Sequence, residues 1–421
     1  MTASINRRMF LKGAAAAGAL ASGPIMISRP ALGQNGLTSV DDALSRAVET
    51  KAMPGVVAVA ATDKGILYEG AFGKRELGKE APMTLDTVVW IASMTKAITA
   101  TAAMQLIERG KLNLERPANE VVPELAEAKV LEGFDAAGKP RLRAPKRPIT
   151  LRHLLTHTAG FGYDLWDPAI GEYEKVTGTP GVITCTNAAL TTPLMFDPGD
   201  RWEYGISMDW AGKMVEAVSG KRLEQYFREN IFDPLGMRDT SFKISPSQRA
   251  RLASVHQRDE KGALAPIQFE IPQEPEFFMG GGGLYGTARD YLAFTQMIMQ
   301  GGSFRGAQVL RPETVALMSQ NHIGALEIPV FRTAAPSLTN DVELFPGMSK
   351  KWGLSFLINT QQTPSGRSAG SLAWAGLANT YFWIDPTKRV SGVFLSQVLP
   401  FYDGTAIELL GKFETEEYRA L

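Results

Sequence analysis

A helix that is apolar or small on every side constrains the fold of this chain more than any other stretch of its sequence. From Met94 to Ile107 almost every residue is apolar or small, and Gly110 is a suitable stop. A helix of this composition is surrounded by protein rather than by solvent. The pattern therefore predicts a buried central helix against which the other elements pack.

A lysine within this helix needs an explanation, because a buried amine is costly unless it has partners or a chemical task. Lys96 lies three residues after Ser93, so the two side chains share a face near the first turn. A desolvated lysine can be neutral enough near pH 7 to deprotonate a serine, and helix N-terminal N–H groups favour negative charge beside it. A chain of this length contains about one such pair by chance, so its position rather than its existence is informative.

The remaining pattern predicts strands and helices at both ends of the chain and a mostly helical middle. Two strands, Val56–Ala61 and Ile66–Gly70, flank a turn at residues 63–65. Helices are expected at 40–48, 151–157, 208–218, 223–231, 288–299 and 405–413, and late strands at 352–358, 372–374, 380–384 and 390–395. We interpret this order as an α/β (α+β) domain, residues 34–117 and 285–421, with an inserted helical domain at 118–284 and a catalytic cleft between them.

The N-terminus is typical of an exported precursor. Arg7 and Arg8 precede an apolar Gly/Ala-rich run to Ser28, and small residues follow at 31–33. Residues 1–33 are therefore predicted to be a twin-arginine signal peptide, with the export machinery as partner and a periplasmic or secreted location. No later apolar run approaches the ~20 residues of a membrane-spanning helix.

Charge and cysteine content exclude some functional classes. Four of the 44 basic residues and none of the 44 acidic residues lie in the predicted signal, which leaves 40 basic against 44 acidic residues. A slightly acidic chain does not predict a nucleic-acid partner. The lone cysteine, Cys185, excludes an internal disulfide framework.

Three further motifs accompany the Ser93–Lys96 pair. They are Tyr204-Gly205-Ile206, placed just before a predicted helix, Trp374-Ala375-Gly376-Leu377 in the late strand region, and Leu154-Leu155-Thr156-His157-Thr158-Ala159-Gly160. In this order the motifs resemble those of the penicillin-binding protein and class C β-lactamase superfamily of serine hydrolases, over nearly all of the chain after residue 33. The resemblance implies a two-domain β-lactamase-like fold with an antiparallel sheet flanked by helices.

The resemblance also implies roles for individual residues. Ser93 would be the acylated nucleophile, Lys96 its base, and Tyr204 a general acid and base whose phenolate would depend on nearby lysine charge. The backbone N–H groups of Ser93 and Leu377 would form the oxyanion hole. No metal or organic cofactor is expected.

Two departures from the superfamily pattern predict the substrate class. Lactamases and peptidases commonly have Asn where this chain has Ile206, and Lys or His where it has Trp374. Both polar groups that bind a carboxylate-bearing amide substrate are therefore replaced by apolar residues, as in the family VIII carboxylesterases. Trp374, Ala375, Gly376 and Ile206 are predicted to contact the substrate, a small-molecule ester of short to medium acyl chain.

Other interpretations compete with this assignment. Ser368 lies in a Gly366–Gly370 stretch that matches the G-x-S-x-G elbow of α/β-hydrolases, but no histidine follows it as that fold requires. His153 and His157 have a spacing that can bind a metal, without the glutamate of H-E-x-x-H. A β-lactamase or D,D-peptidase, an acyltransferase or amidase, and a non-catalytic penicillin-binding-like module stay open as alternatives.

Overall fold

A seven-stranded antiparallel sheet lies at the centre of the computed structural model, which describes residues 34–421. The predicted signal peptide, residues 1–33, lies outside the described residues. The described strands are β1 (Gly55–Thr62), β2 (Gly65–Gly73), β3 (Val89–Trp90), β4 (Val130–Phe134), β5 (Pro140–Arg143), β6 (His256–Arg258), β7 (Leu264–Pro266), β8 (Tyr285–Gly286), β9 (Ser303–Phe304), β10 (Ala307–Gln308), β11 (Lys350–Trp352), β12 (Leu357–Asn359), β13 (Leu372–Gly376), β14 (Thr380–Asp385), β15 (Val390–Leu395) and β16 (Val398–Leu399).

The described α-helices connect and cover these strands. They are α1 (Gln34–Glu49), α2 (Thr95–Glu108), α3 (Leu151–Leu155), α4 (Pro168–Thr177), α5 (Ser207–Ser219), α6 (Leu223–Phe227), α7 (Asp233–Leu235), α8 (Pro246–Arg249), α9 (Ala288–Met299), α10 (Pro312–Met318) and α11 (Gly404–Ala420). None of the helices within residues 34–421 combines the length and the apolar character needed to cross a bilayer.

The central sheet joins the two ends of the chain. Its strand order is β11-β12-β13-β14-β15-β1-β2, so the N-terminal hairpin β1–β2 pairs with the C-terminal strands through β15. Strands β13, β14 and β15 are buried along their whole length, which explains why they are apolar without alternation. The prediction that the C-terminus completes the sheet of an α/β (α+β) domain is confirmed.

Helices cover both faces of this sheet. Successive residues of a strand point to opposite faces, and on β14 Phe382 contacts Tyr291 of α9 while Trp383 contacts Phe413 of α11. Helix α1 packs against α11 and β2 on the second face. The observed layers are therefore those of the β-lactamase-like fold implied by the motifs.

Helix α2 is the buried helix that the sequence predicts. Every residue from Thr95 to Leu106 is buried, and α5 is the helix with which it makes its most extensive contact. Helix α5 belongs to residues 118–284, where the hairpin β4–β5 precedes helices α3 to α8. The described residues, 34–421, belong to one compact unit, so the predicted domain boundaries at 117/118 and 284/285 stay a prediction.

Three predicted elements differ from the observed ones. The single strand expected at 352–358 is two antiparallel strands, β11 and β12, because the chain reverses at Gly353 and at Ser355, whose φ is 74°. The helix expected at 151–157 ends at Leu155, and His157 has a φ of 56°. The helix expected at 223–231 ends at Phe227 and continues as π-helix over Arg228–Phe232.

Candidate active site

The turn that carries Ser93 is held rigidly between β3 and α2. A short 3₁₀ helix, Ala92–Met94, precedes α2, and Ala92 adopts a φ of 46°, which is uncommon for a residue with a side chain. The Thr95 hydroxyl donates to the Ala92 carbonyl at 2.7 Å, and the Tyr291 hydroxyl donates to the Met94 carbonyl at 2.8 Å. These bonds fix the direction of the Ser93 side chain at the helix N-terminus.

The Lys96 amine lies within hydrogen-bond distance of Ser93. Its Nζ is 3.1 Å from the Ser93 hydroxyl, 3.1 Å from the Tyr163 hydroxyl and 2.5 Å from the Gly281 carbonyl oxygen. The side chain is fully buried, and this desolvation lowers the pKa of Lys96 to about 7, although the charge of Asp209 opposes the shift. Lys96 can therefore exchange a proton near neutral pH.

The three partners of Lys96 suit a neutral amine as well as a charged one. The Gly281 carbonyl only accepts, whereas the hydroxyls of Ser93 and Tyr163 can each donate or accept. A neutral Nζ can donate to the Gly281 carbonyl and accept the proton of Ser93 with the heavy atoms in their present positions. The arrangement can therefore deprotonate a serine hydroxyl at the moment it attacks an acyl carbon.

Tyr204 lies beside this pair, but its proton is held more firmly than the motif predicts. The Lys96 Nζ is 4.7 Å from the centroid of the Tyr204 ring. Burial raises the pKa of Tyr204, and hydrogen bonds with Ser93 and Trp374 only partly oppose the rise. The expectation that lysine charge favours a phenolate at Tyr204 stays a prediction, and burial by itself favours the protonated phenol. Tyr204 is a phenol that can give a proton to a leaving group.

The indole of Trp374 holds Tyr204 in place. Its Nε1–H donates to the Tyr204 hydroxyl oxygen at 3.0 Å, and the two rings meet edge to face with centroids 5.0 Å apart. Trp374 lies on β13, at the position where related hydrolases have a cationic residue. The sequence predicts a substrate contact for Trp374, and the structure adds this direct bond to the phenol.

Trp374→Phe is expected to lower kcat about fivefold to tenfold, because it removes one buried hydrogen bond that orients Tyr204 while keeping an aromatic ring. Steady-state kinetics on a p-nitrophenyl ester measures the change. The control is Trp352→Phe, which removes an indole N–H that donates to the Leu155 carbonyl rather than to Tyr204 and keeps an aromatic ring against Trp374. Equal losses of kcat in both variants would contradict an orienting role for Trp374.

The two predicted oxyanion donors come together at the same turn. Gly376 ends β13 against the Ser93 turn, where a Cβ would lie 2.3 Å from the Ile91 carbonyl oxygen, so only glycine allows this approach. Leu377 follows, and within residues 34–421 its N–H has no acceptor. Because Ser93 is in the first turn of its helix, its N–H also has no partner within that helix. The backbone can therefore present two N–H donors to one oxygen.

Asp209 is a buried charge that the sequence analysis missed. Its carboxylate accepts from the Gly281 N–H at 2.8 Å, and its other oxygen has no hydrogen-bond partner in the described chain. A Cβ at Gly281 would lie 2.6 Å from that oxygen, so glycine is required where the loop meets Asp209. Burial raises the pKa of Asp209, and the charge of Lys96 opposes this. Asp209 therefore positions the Gly281 carbonyl that binds Lys96 and also sets the field around the amine.

Asp209→Asn is expected to shift the acidic limb of the kcat/KM profile to lower pH by about one unit. The negative charge of Asp209 raises the pKa of Lys96, so its removal makes the ammonium form of Lys96 less stable and the amine loses its proton at lower pH. Asn keeps an oxygen for the Gly281 N–H. Asp290→Asn, at a buried carboxyl bonded to Thr240, is the control and should leave the limb in place. A limb that moves upward or stays fixed in Asp209→Asn contradicts this coupling.

A cavity of about 210 Å³ opens beside Ser93, and we call it the inner cavity. Its lining is largely apolar and includes Ser93, Tyr163, Trp166, Tyr204, Phe269, Met279, Phe331, Trp374, Ala375, Gly376 and Leu377. Three of the four predicted substrate contacts lie in this lining. The fourth, Ile206, is buried before α5 and does not line the cavity, because the helix start turns its side chain into the core.

The surroundings of Ser368, His153 and His157 do not form the alternative catalytic or metal sites that the sequence left open. Ser368 lies in the loop between β12 and β13, and no helix follows it as a nucleophile elbow requires. His153 closes a capping box on Thr150, and His157 packs against Tyr204 with ring centroids 4.8 Å apart. The part of the chain that the structure describes contains no cluster of three His, Cys, Asp or Glu side chains able to bind a metal.

The fold and the paired Ser93 and Lys96 are those of serine enzymes that work through an acyl-enzyme. The beta-lactamase family model matches residues 40–411, and the chain belongs to this family. Monacolin J acid methylbutanoyltransferase of Aspergillus terreus is 32% identical over 397 residues, which cover 90% of this chain and 95% of the relative. Lovastatin esterase of Penicillium rubens is 32% identical over 395 residues, which cover 90% of this chain and 98% of the esterase.

Solved structures show the same relationship. Unliganded simvastatin synthase of Aspergillus terreus superposes with a TM-score of 0.81 at 31% identity and covers 91% of this chain and 98% of its own. EstCE1, a hydrolase with promiscuous acyltransferase activity, has a TM-score of 0.72 at 25% identity and covers 91% and 99%. The relatives include enzymes named for acyl transfer and enzymes named for ester hydrolysis, so the chain is an enzyme of the acyl-enzyme class.

Proposed function

We propose that this protein is a serine acyltransferase that forms an acyl-enzyme on Ser93 and transfers the acyl group to a bound alcohol, with ester hydrolysis as the competing reaction. The observation that carries the proposal is the Ser93 hydroxyl, 3.1 Å from a buried Lys96 amine and at the wall of an apolar cavity. The sequence motifs favour a simple esterase, but relatives named as methylbutanoyltransferases support acyl transfer to an alcohol over hydrolysis.

In the acylation step, the Ser93 oxygen attacks the acyl carbon of the donor ester while its proton moves to Lys96. The donor's carbon–oxygen bond breaks, and the leaving oxygen takes a proton from Tyr204, which Lys96 then reprotonates. The N–H groups of Ser93 and Leu377 stabilise the oxyanion in between. Attack of an alcohol on the acyl carbon reverses these proton movements and releases a new ester.

The choice between water and alcohol depends on what the cavity binds. An apolar pocket with few polar groups concentrates an apolar alcohol and excludes water, so a bound alcohol competes well for the acyl group. The ionisable groups that line the inner cavity are Tyr163, Tyr204 and Asp164, and burial raises the pKa of Asp164. Within the described chain no lysine or arginine lines it, which disfavours the alternative of a β-lactamase or peptidase that binds a substrate carboxylate.

The experiment that tests this proposal measures products rather than donor consumption. The enzyme is given p-nitrophenyl butyrate with increasing benzyl alcohol, and benzyl butyrate and butyric acid are both quantified. We expect the ester to rise and the acid to fall as the alcohol increases, and Ser93→Ala to form neither. Formation of acid alone at every alcohol concentration would make the protein an esterase, and preference for a chromogenic cephalosporin would favour the lactamase alternative.

A further inference from the structure

A second and larger cavity shares part of its wall, including Tyr204, with the inner cavity. This outer cavity has a volume of about 500 Å³, and Ser93 does not line it. Four aromatic residues line both the inner and the outer cavity: Tyr163, Trp166, Tyr204 and Phe331. We call these four rings the aromatic partition, because they form the wall common to the two cavities. One of them, Tyr204, is the side chain proposed to protonate the leaving group.

Phe331 reaches the partition from a part of the chain remote from the motifs. Its ring is stacked on Tyr204, with centroids 6.1 Å apart and planes 3° apart, and on Trp202, with centroids 5.6 Å apart. The loop that carries it is anchored by pairing of Phe331 with Val342 and by a hydrogen bond from the Ala334 N–H to the Leu165 carbonyl. Phe331 is thus the member of the wall that a loop contributes from a distant part of the chain.

The volume of each cavity and its position relative to Ser93 determine which half of an ester substrate it can bind. The inner cavity, at about 210 Å³, is smaller than the roughly 300 Å³ at which ligand pockets usually begin, so it does not hold both halves of a bulky ester. A substrate with its acyl carbon at Ser93 and its carbonyl oxygen at the Leu377 N–H would direct its ester oxygen towards Tyr204, the proton donor of the proposed mechanism. The alcohol half would then extend past Tyr204, whose ring also lines the outer cavity.

We propose that the outer cavity is the subsite for the alcohol half of the substrate and that Phe331 controls which alcohols reach it. The inference rests on the proposed acyl transfer and adds the acceptor class. The outer cavity combines aromatic rings with ionisable side chains, among them Arg201, Glu203 and Arg332. This lining fits an amphipathic alcohol with a bulky apolar body and polar groups at its far end.

The test compares two series of esters with the purified protein. One series keeps the butyryl group and changes the alcohol from methyl through benzyl to naphthylmethyl, and the other keeps methanol and lengthens the acyl chain from acetyl to hexanoyl. Phe331→Ala is expected to raise the naphthylmethyl-to-methyl ratio of kcat/KM about tenfold, and Val330→Trp, which fills the outer cavity, to lower it by a similar factor. Phe331→Leu provides a milder change of the same sign.

Phe269→Ala is the matched control, because Phe269 lines the inner cavity only and packs on Trp90 with centroids 4.6 Å apart. It is expected to change the acyl series and to leave the alcohol ratio within about twofold. The proposal is overturned if the Phe331 and Val330 variants leave the alcohol ratio unchanged or change the acyl series instead. Absence of turnover of every ester in both series by the unmodified protein would instead overturn the proposed function.

Discussion

Ser93→Ala is expected to lower kcat/KM for a p-nitrophenyl ester by at least about a thousandfold, because it removes the oxygen on which the acyl-enzyme forms. Some activity above the uncatalysed rate should persist, since the backbone N–H groups of the turn still stabilise an oxyanion. The side chain lies in a buried turn held by the hydroxyls of Thr95 and Tyr291, so the variant should fold.

Ser368→Ala is the matched control for this prediction. Ser368 lies in a loop where its N–H donates to Asp385 and its carbonyl accepts from Ser371, and Ser368 is not among the residues that line the inner cavity. We expect activity within about twofold of the unmodified protein. Loss of activity in Ser368→Ala with retention in Ser93→Ala would overturn the assignment of the nucleophile.

Lys96→Met is expected to cost about as much activity as the loss of Ser93, because groups that act as a unit give similar losses when removed singly. The apolar side chain keeps the length of lysine and cannot accept the proton of Ser93. In the unmodified protein, kcat/KM should rise with pH through about 7, where burial places the pKa of Lys96 and the amine becomes neutral.

Lys96→Arg separates the two roles that a cation at this position can have. Arginine keeps the positive charge but stays protonated in proteins, so it cannot act as a base. We expect Lys96→Arg to be as inactive as Lys96→Met, with thermal unfolding used to verify that both variants fold. Substantial activity in Lys96→Arg would show that charge, rather than proton exchange, is what this position supplies.

The nucleophile and its base could be predicted because Ser93 and Lys96 are close together along the chain, whereas Tyr204 and Trp374 are predicted from their resemblance to family motifs. Ser93 and Lys96 share one helical turn, and Tyr204 and Trp374 each lie in a short motif before a helix or in a strand. The buried helix α2 and the strands β13 to β15 were predictable, since composition alone shows that they are surrounded by protein.

The missed residues depend on contacts between distant segments. Asp209 is linked to Lys96 by its charge and by the hydrogen bonds of Gly281, and Phe331 comes from a loop that contains no helix and no strand of the central sheet. Ile206 was predicted to contact substrate because it occupies a family position, but the start of α5 buries it. The reversal at Gly353 was missed because an apolar run gives no sign of where a strand turns back.

The arrangement of the buried groups also explains why a lysine is tolerated here. Lys96 has three oxygen partners and a nearby carboxylate, so its cost of burial is offset by hydrogen bonds and by the field of Asp209. These partners leave the amine poised between its charged and neutral forms. We propose that this balance, rather than the strength of any one bond, makes Ser93 reactive.

The most direct test of this account is the mass of the protein during turnover. The enzyme is mixed with p-nitrophenyl butyrate, quenched in acid and examined as intact protein and as peptides. We predict one added butyryl group on the peptide that contains Ser93, with its decay accelerated by benzyl alcohol and matched by the appearance of benzyl butyrate. An unmodified protein during active turnover, or a butyryl group on the peptide that contains Ser368, would contradict the central claim.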